Sequence, residues 1–305
     1  MLNLMNETLQ EQNAKLATEY KDEKYPIYFI IAQPRGASSL LQQLLSSNLN
    51  IGYISNFLAK FYKSPIFGLE LEKDVVDKNY KSSFLSSYGN TSGLNEPHEW
   101  GWFFKEHLDL EGAKHYTDKE EFNGLKSNLL AVTNIKKSPL LIDNIYAMSN
   151  ILKFKKDFKN IKIINMTRDL YFISNSIINA RISRYSDINE FYGHRPRNIE
   201  EILKIQNPIE QIVYQVKSIQ NEIDEILENF DNKDIINIDY EDIYKDSFGV
   251  VEKFRKFVQK DNINLEYKEK HLPELIYRND ESLIKAEYKD ELDLYYKKYF
   301  GNVDD

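Results

Sequence analysis

The sequence has no cysteine in 305 residues, which excludes disulfides, thiolate metal ligands and a cysteine nucleophile. Histidine is scarce as well. The five present are scattered without the spacing of a zinc site, so no metal is expected. No run of about 18 apolar residues occurs, and no membrane-spanning helix is expected. Residues 1–20 lack the apolar stretch of a signal peptide and read as part of a polar helical arm over 1–24, which points to the cytoplasm. Positive charge is in deficit: 40 Lys and Arg against 48 Asp and Glu leave a formal net charge of −8. Broad nucleic-acid binding needs a basic field, so no nucleic-acid partner is expected. The densest basic run, Lys153, Lys155, Lys156, Lys159 and Lys162, interleaves with Phe154 and Phe158 and reads as the solvated side of an amphipathic helix.

Aromatic side chains are plentiful. With 21 Tyr and 17 Phe, the chain has enough apolar area for a core despite 29% charged residues. Strand patterns at 27–32, 140–142, 161–166 and 235–238 alternate with helical patterns from 38, within 57–76, and at 120–132, 145–158, 169–183, 208–230, 246–260 and 288–300. That alternation predicts an α/β fold, a parallel sheet flanked by helices on both faces. No linker or repeat divides it, so 25–305 reads as a single domain with loop insertions near 81–104 and 184–198. In such sheets ligands bind beyond the carboxyl ends of the strands.

The most informative stretch is Tyr25 to Leu45. An apolar strand, Ile27 to Ala32, runs into the turn Pro34-Arg35-Gly36-Ala37 and then into a helix opened by Ser38 or Ser39, with Leu40, Leu41, Leu44 and Leu45 on its apolar side. Uncapped N–H groups at a helix start attract phosphate or sulfate. The loop is P-loop-like, but it lacks the Lys of the Walker sequence, and its cation is Arg35, ahead of the small residues. A second strand, Ile161 to Met166, leads past Arg168 into a helix whose natural cap is Asp169. Ser176 follows Arg168 by eight positions, about 80° of rotation over about 12 Å on a helix. An arginine reaching forward and this hydroxyl can therefore meet on one anion.

The order Pro34, Arg35, Ser38, Ser39 resembles the 5'-phosphosulfate loop of sulfotransferases that use 3'-phosphoadenosine 5'-phosphosulfate (PAPS), with Gly36-Ala37 where Ser-Gly is usual. Arg168 and Ser176 match the pair that holds the donor's 3'-phosphate in that family. Asn95-Glu-Pro-His-Glu-Trp-Gly-Trp-Phe-Phe is similar to a segment of bacterial members, and Asn237-Ile-Asp-Tyr-Glu-Asp-Ile resembles a late strand and turn. The resemblance also takes in Ala180-Arg181, Asp187-Ile-Asn-Glu and Arg195-Pro196, and spans roughly residues 25 to 300.

The resemblance implies a PAPS-dependent sulfotransferase of bacterial type that carries a sulfuryl group to a hydroxyl acceptor, a carbohydrate by default. Gly36, Ala37, Ser38 and Ser39 would cradle the phosphosulfate with Arg35, and Glu96 or His98 would take the acceptor's proton, Glu96 being preferred. A sulfuryl group carries less charge than a phosphoryl group, so no metal is required. Trp100, Trp102, Phe103 and Phe104 read as core or as a platform for a sugar. The loop at 184–198, with Arg184, His194, Arg195 and Arg197, is a candidate cover for the donor. A small-molecule kinase or other phosphotransferase, and a nucleotide-binding protein without catalysis, are the alternatives.

Overall fold

The computed structural model describes residues 1–76, 81–274, 279 and 281–301. α1 (Leu2–Ala17) precedes β1 (Ile27–Ala32), and α2 (Ser38–Asn48) follows it. Next come β2 (Gly52–Tyr53), α3 (Pro65–Val75), the hairpin strands β3 (Ser86–Ser87) and β4 (Asn90–Thr91), α4 (Gly101–His107) and α5 (Asn123–Lys136). β5 (Leu140–Asp143), α6 (Ile145–Asp157), β6 (Ile161–Thr167), α7 (Leu170–Tyr185), α8 (Ile199–Ile202) and α9 (Pro208–Glu228) continue the alternation. β7 (Ile235–Asp239), α10 (Tyr240–Lys245), α11 (Ser247–Gln259) and α12 (Ala286–Phe300) complete it.

Five strands form one sheet in the order β2-β5-β1-β6-β7, each pairing parallel with its neighbours. Period-two alternation divides its side chains between two cores. Ile27, Phe29 and Ile31 of β1, with Leu140 and Ile142 of β5 and Ile161 and Ile163 of β6, face α4, α5, α6 and the second half of α9. Tyr28 and Ile30, with Leu141, Ile164 and Met166, face α2, α10 and α11. Because both faces are covered, the strands read as continuous apolar runs, which is why they were legible in sequence.

α1 is docked by two buried asparagines. Asn6 donates to the Lys60 carbonyl at 2.8 Å and accepts from the Lys63 N–H at 3.0 Å. Asn13 donates to Asn128 Oδ1 at 2.8 Å and accepts from the Ile66 N–H at 2.9 Å. Buried amides satisfied at both ends fix a register that an apolar stripe would leave loose.

The basic run departs from expectation. α6 ends at Asp157, so Lys159 lies beyond it, and Lys162 lies in β6. Its ammonium sits 2.6 Å from Asp234 and 3.0 Å from Asp261. Alternating lysines carried no information about where the helix stopped, because a solvated face and a strand edge tolerate them equally. The stretch at 81–95 also holds more order than a loop, since β3 and β4 pair there. No described helix is long and apolar enough to cross a membrane.

Candidate active site

The turn after β1 is shaped by two residues in the left-handed region, Arg35 at φ 68° and Ala37 at φ 71°. Gly36 between them is not left-handed. It is small because space is short: a Cβ there would lie 2.8 Å from the Gln33 carbonyl oxygen. Ala37 is the N-cap of α2 and offers no side-chain acceptor, so the first-turn N–H groups are left for a ligand. Ser38 donates to Asp143 at the carboxyl end of β5.

Three segments distant in sequence converge on Arg35. Its Nε donates to Ser176 Oγ at 3.2 Å. Its carbonyl accepts from Arg168 at 2.8 Å, and Arg168 Nε donates to Asn279 Oδ1 at 2.7 Å. The Arg168 guanidinium lies over the Tyr240 ring at 4.7 Å, held at the end of β7. Asp169 caps α7 as expected, accepting from the N–H groups of Tyr171 and Phe172. Arg35 also lies over the Tyr88 ring at 5.0 Å, and Tyr192 hydrogen-bonds to it.

Arg35, Tyr88, Arg168, Tyr192 and Tyr240 line a cavity of about 870 Å³ beyond the carboxyl ends of β1, β5, β6 and β7, whereas Ser176, though bonded to Arg35, is not on its wall. Ser38, Ser39, Arg168 and Arg184 are on its wall, as are Asp143 and Glu99. The arginines and the uncapped helix start suit a ligand with two separated anionic groups.

The segment Glu96-Pro-His-Glu points in three directions. Glu96 is only 3% exposed and faces inward. It accepts from Gln43 of α2 at 2.9 Å, from the Ser82 hydroxyl at 2.8 Å and from the Ser83 N–H at 2.6 Å, and it is not on the cavity wall. His98 lines a different cavity. Its Nδ1 accepts from the Trp100 N–H at 2.7 Å, and burial, then Lys60, lowers its pKa. Glu99 faces the cavity of Arg35, although sequence reasoning did not single it out. Its backbone carbonyl accepts from Asn144 at 2.7 Å, and its carboxyl packs on Gly89, where a Cβ would lie 2.3 Å from Oε1.

Glu99 and Asp143 act on one another. Burial raises the pKa of both, and for Glu99 the charge of Asp143 raises it further, against the opposing pull of Ser38 on Asp143. Asp143 Oδ2 is buried without a hydrogen-bond partner. Titrations raised in this way bring the two carboxyls closer to neutrality, where a group exchanges protons most readily. The available signal for Asp143 was an acid immediately after an apolar strand that ends beside β1.

The loop at 184–198 does reach the cavity, through Arg184, Tyr192, Gly193 and His194. Arg195 does not; its guanidinium lies over the Phe191 ring at 5.0 Å. The loop is pinned rather than loose: Gln215 of α9 donates to the carbonyls of Tyr192 and His194, both at 2.9 Å. Of the four clustered aromatics, Trp100, Phe103 and Phe104 are buried, whereas Trp102 is 68% exposed.

No protein-family model matches the chain, and no curated protein does. Solved structures do match. Sulfotransferase STF1 from Mycobacterium tuberculosis H37Rv aligns over 82% of this chain and 72% of its own, with a TM-score of 0.54 at 13% identity. The chain has the sulfotransferase fold. STF9 from Mycobacterium avium, also a sulfotransferase, covers 95% of this chain and 80% of its own, with a TM-score of 0.51 at 11% identity. At such identities a shared sulfotransferase fold leaves the chemistry to be argued from the residues.

Proposed function

We propose that the protein transfers a sulfuryl group from PAPS to a hydroxyl acceptor, a carbohydrate. The observation that carries this reading is the meeting of Arg35 and Arg168 at the uncapped start of α2, in one cavity with Asp143 and Glu99 and with Ser176 bonded to Arg35 behind its wall. Arg35 and the first-turn N–H groups of α2 bind the 5'-phosphosulfate; Arg168 and Ser176 bind the 3'-phosphate. The acceptor oxygen forms its bond to sulfur as the bond from sulfur to the bridging phosphate oxygen breaks. The acceptor's proton passes to the carboxyl pair, and adenosine 3',5'-bisphosphate leaves. Arg35 stabilises the charge that grows on the departing phosphate, where a preformed donor contributes most.

The pair replaces Glu96 and His98 in this reading because it shares the cavity with the arginines. Glu96 instead holds the 82–83 turn against α2, and positions the chain that leads to Glu99. Calorimetry tests the donor half: adenosine 3',5'-bisphosphate should bind without magnesium and far better than ADP with magnesium. The reverse preference would overturn the reading in favour of phosphoryl transfer. Mass spectrometry with labelled PAPS and candidate glycans then tests transfer itself.

A further inference from the structure

A second cavity, of about 680 Å³, lies on the other side of the 84–94 segment. Residues 84–89 line the cavity of Arg35, while Asn90, Thr91, Gly93 and Leu94 line this one. The same division holds one strand-length later, where His98 faces one cavity and its neighbour Glu99 the other. The two spaces therefore lie on either side of one segment, and the Glu99 carboxyl packs on Gly89 within it.

The chemistry of this second cavity is that of a sugar site. Trp102 presents an exposed indole beside Tyr62, with ring centroids 6.4 Å apart, an amphipathic face suited to the apolar side of a pyranose. His98 is held neutral, and because its Nδ1 accepts the Trp100 N–H, its proton sits on Nε2 as a donor. The two hydrogens of Asn56 Nδ2 go to the Gly93 carbonyl and to Thr91, whose carbonyl and hydroxyl share one, which leaves the Asn56 side-chain carbonyl oxygen to accept. Lys60 brings a cation, and among the described residues no carboxylate pairs with it, in a chain whose net charge is −8. An aromatic platform, a neutral donor, an amide acceptor and an unpaired ammonium together match a sugar that carries a carboxylate.

We infer that this cavity binds an oligosaccharide containing a uronic acid, as a subsite for a chain whose acceptor hydroxyl lies in the neighbouring cavity of Arg35 with the Asp143–Glu99 pair. The inference rests on the sulfuryl-transfer reading for its consequence, and on the cavity alone for binding. The ammonium of Lys60 takes the carboxylate and Trp102 stacks on a ring.

Two probes test it by calorimetry: a tetrasaccharide of alternating glucuronate and N-acetylglucosamine, and neutral chitotetraose. The acidic probe should bind more tightly than the neutral one, and Trp102→Ala and Lys60→Gln should each weaken it by roughly tenfold or more. Both variants should keep the bisphosphate affinity of the parent, which shows that they fold. Wild-type emission from Trp102 should shift on binding, while Trp100, at 1% exposure, stays silent. Absence of binding, equal affinity for the two probes, or indifference to both substitutions would overturn the inference. Binding that depends on Trp102 and Lys60 but yields no sulfated product with labelled PAPS would leave the site standing and sink the transfer reading instead.

Discussion

The side of the cavity proposed to take the donor and the side proposed to take the acceptor are built differently. On the donor side, Arg35, Arg168 and Tyr240 follow directly from β1, β6 and β7, so the register of a parallel sheet fixes their spacing. On the acceptor side, residues 81–100 lie outside the sheet and join the body through a few backbone bonds, among them the His98 N–H to the Ile54 carbonyl and the Asn56 N–H to the Glu96 carbonyl, both at 2.8 Å, and through side chains: Glu96 ties the 82–83 turn to α2, Thr91 donates to the Pro97 carbonyl at 2.7 Å, and Asn144 holds Glu99. A backbone ladder places a motif wherever the strand ends. A segment outside the sheet, with few backbone bonds, leans more on its side chains, which makes the acceptor side the more fragile of the two.

The largest effect that sharpens this contrast is at Arg35. Arg35→Ala should lower bisphosphate affinity by about 2 kcal/mol or more and lower turnover further still, because its charge acts in the ground state and more strongly in the transition state. Arg168→Ala should cost a comparable amount of affinity, and Ser176→Ala about 1 kcal/mol, with the two losses non-additive and smaller for a ligand lacking the 3'-phosphate. Titration calorimetry with the two ligands checks both.

Asp143→Asn and Glu99→Gln should leave bisphosphate affinity near the parent's while cutting turnover by about 10² to 10⁴. Glu96→Gln should do the opposite. Removing a buried acceptor with three partners should cost about 1 to 3 kcal/mol of stability, read by denaturant unfolding. Loss of turnover with unchanged stability in Glu96→Gln would return the role of base to that residue.

The carboxyl pair also makes a prediction about pH. Both groups hold their protons more tightly folded than unfolded, so their stabilising contribution is complete below the ordinary carboxylate range. It is lost as pH rises through their raised titrations. Stability should therefore decline from mildly acidic pH toward and past neutrality, and Asp143→Asn should flatten that slope.

The smallest effects separate two adjacent loop residues. Ala37→Gly should stabilise by up to about 1 kcal/mol, since it relieves a left-handed alanine. Gly36→Ala should destabilise, because its Cβ meets the Gln33 carbonyl. Thermal melts in parallel decide between them, and equal effects of like sign would mean the turn relaxes freely.

Both the fold and the placing of Arg35 and Arg168 beyond the strand ends were legible in sequence for one reason. A parallel strand buried on both faces must be an apolar run, and the residues just after it must face the same crevice as those after its neighbours. Ile27–Ala32 with Arg35, and Ile161–Thr167 with Arg168, obey that rule. The acceptor side was not legible, because no periodicity says which of Glu96, His98 and Glu99 turns inward. Each is a polar residue in irregular backbone on either side of a proline, and all three are acids or bases of the right kind. The sequence alone determined an α/β chain with an arginine in the turn after its first strand and a second arginine after β6. Only the tertiary structure decided that Glu96 is spent on Gln43, Ser82 and Ser83, that His98 opens on a second cavity, and that Asp143 faces Glu99. Those outcomes depend on which surface each side chain meets once distant segments pack, and that is a property of the assembled layers rather than of any local stretch.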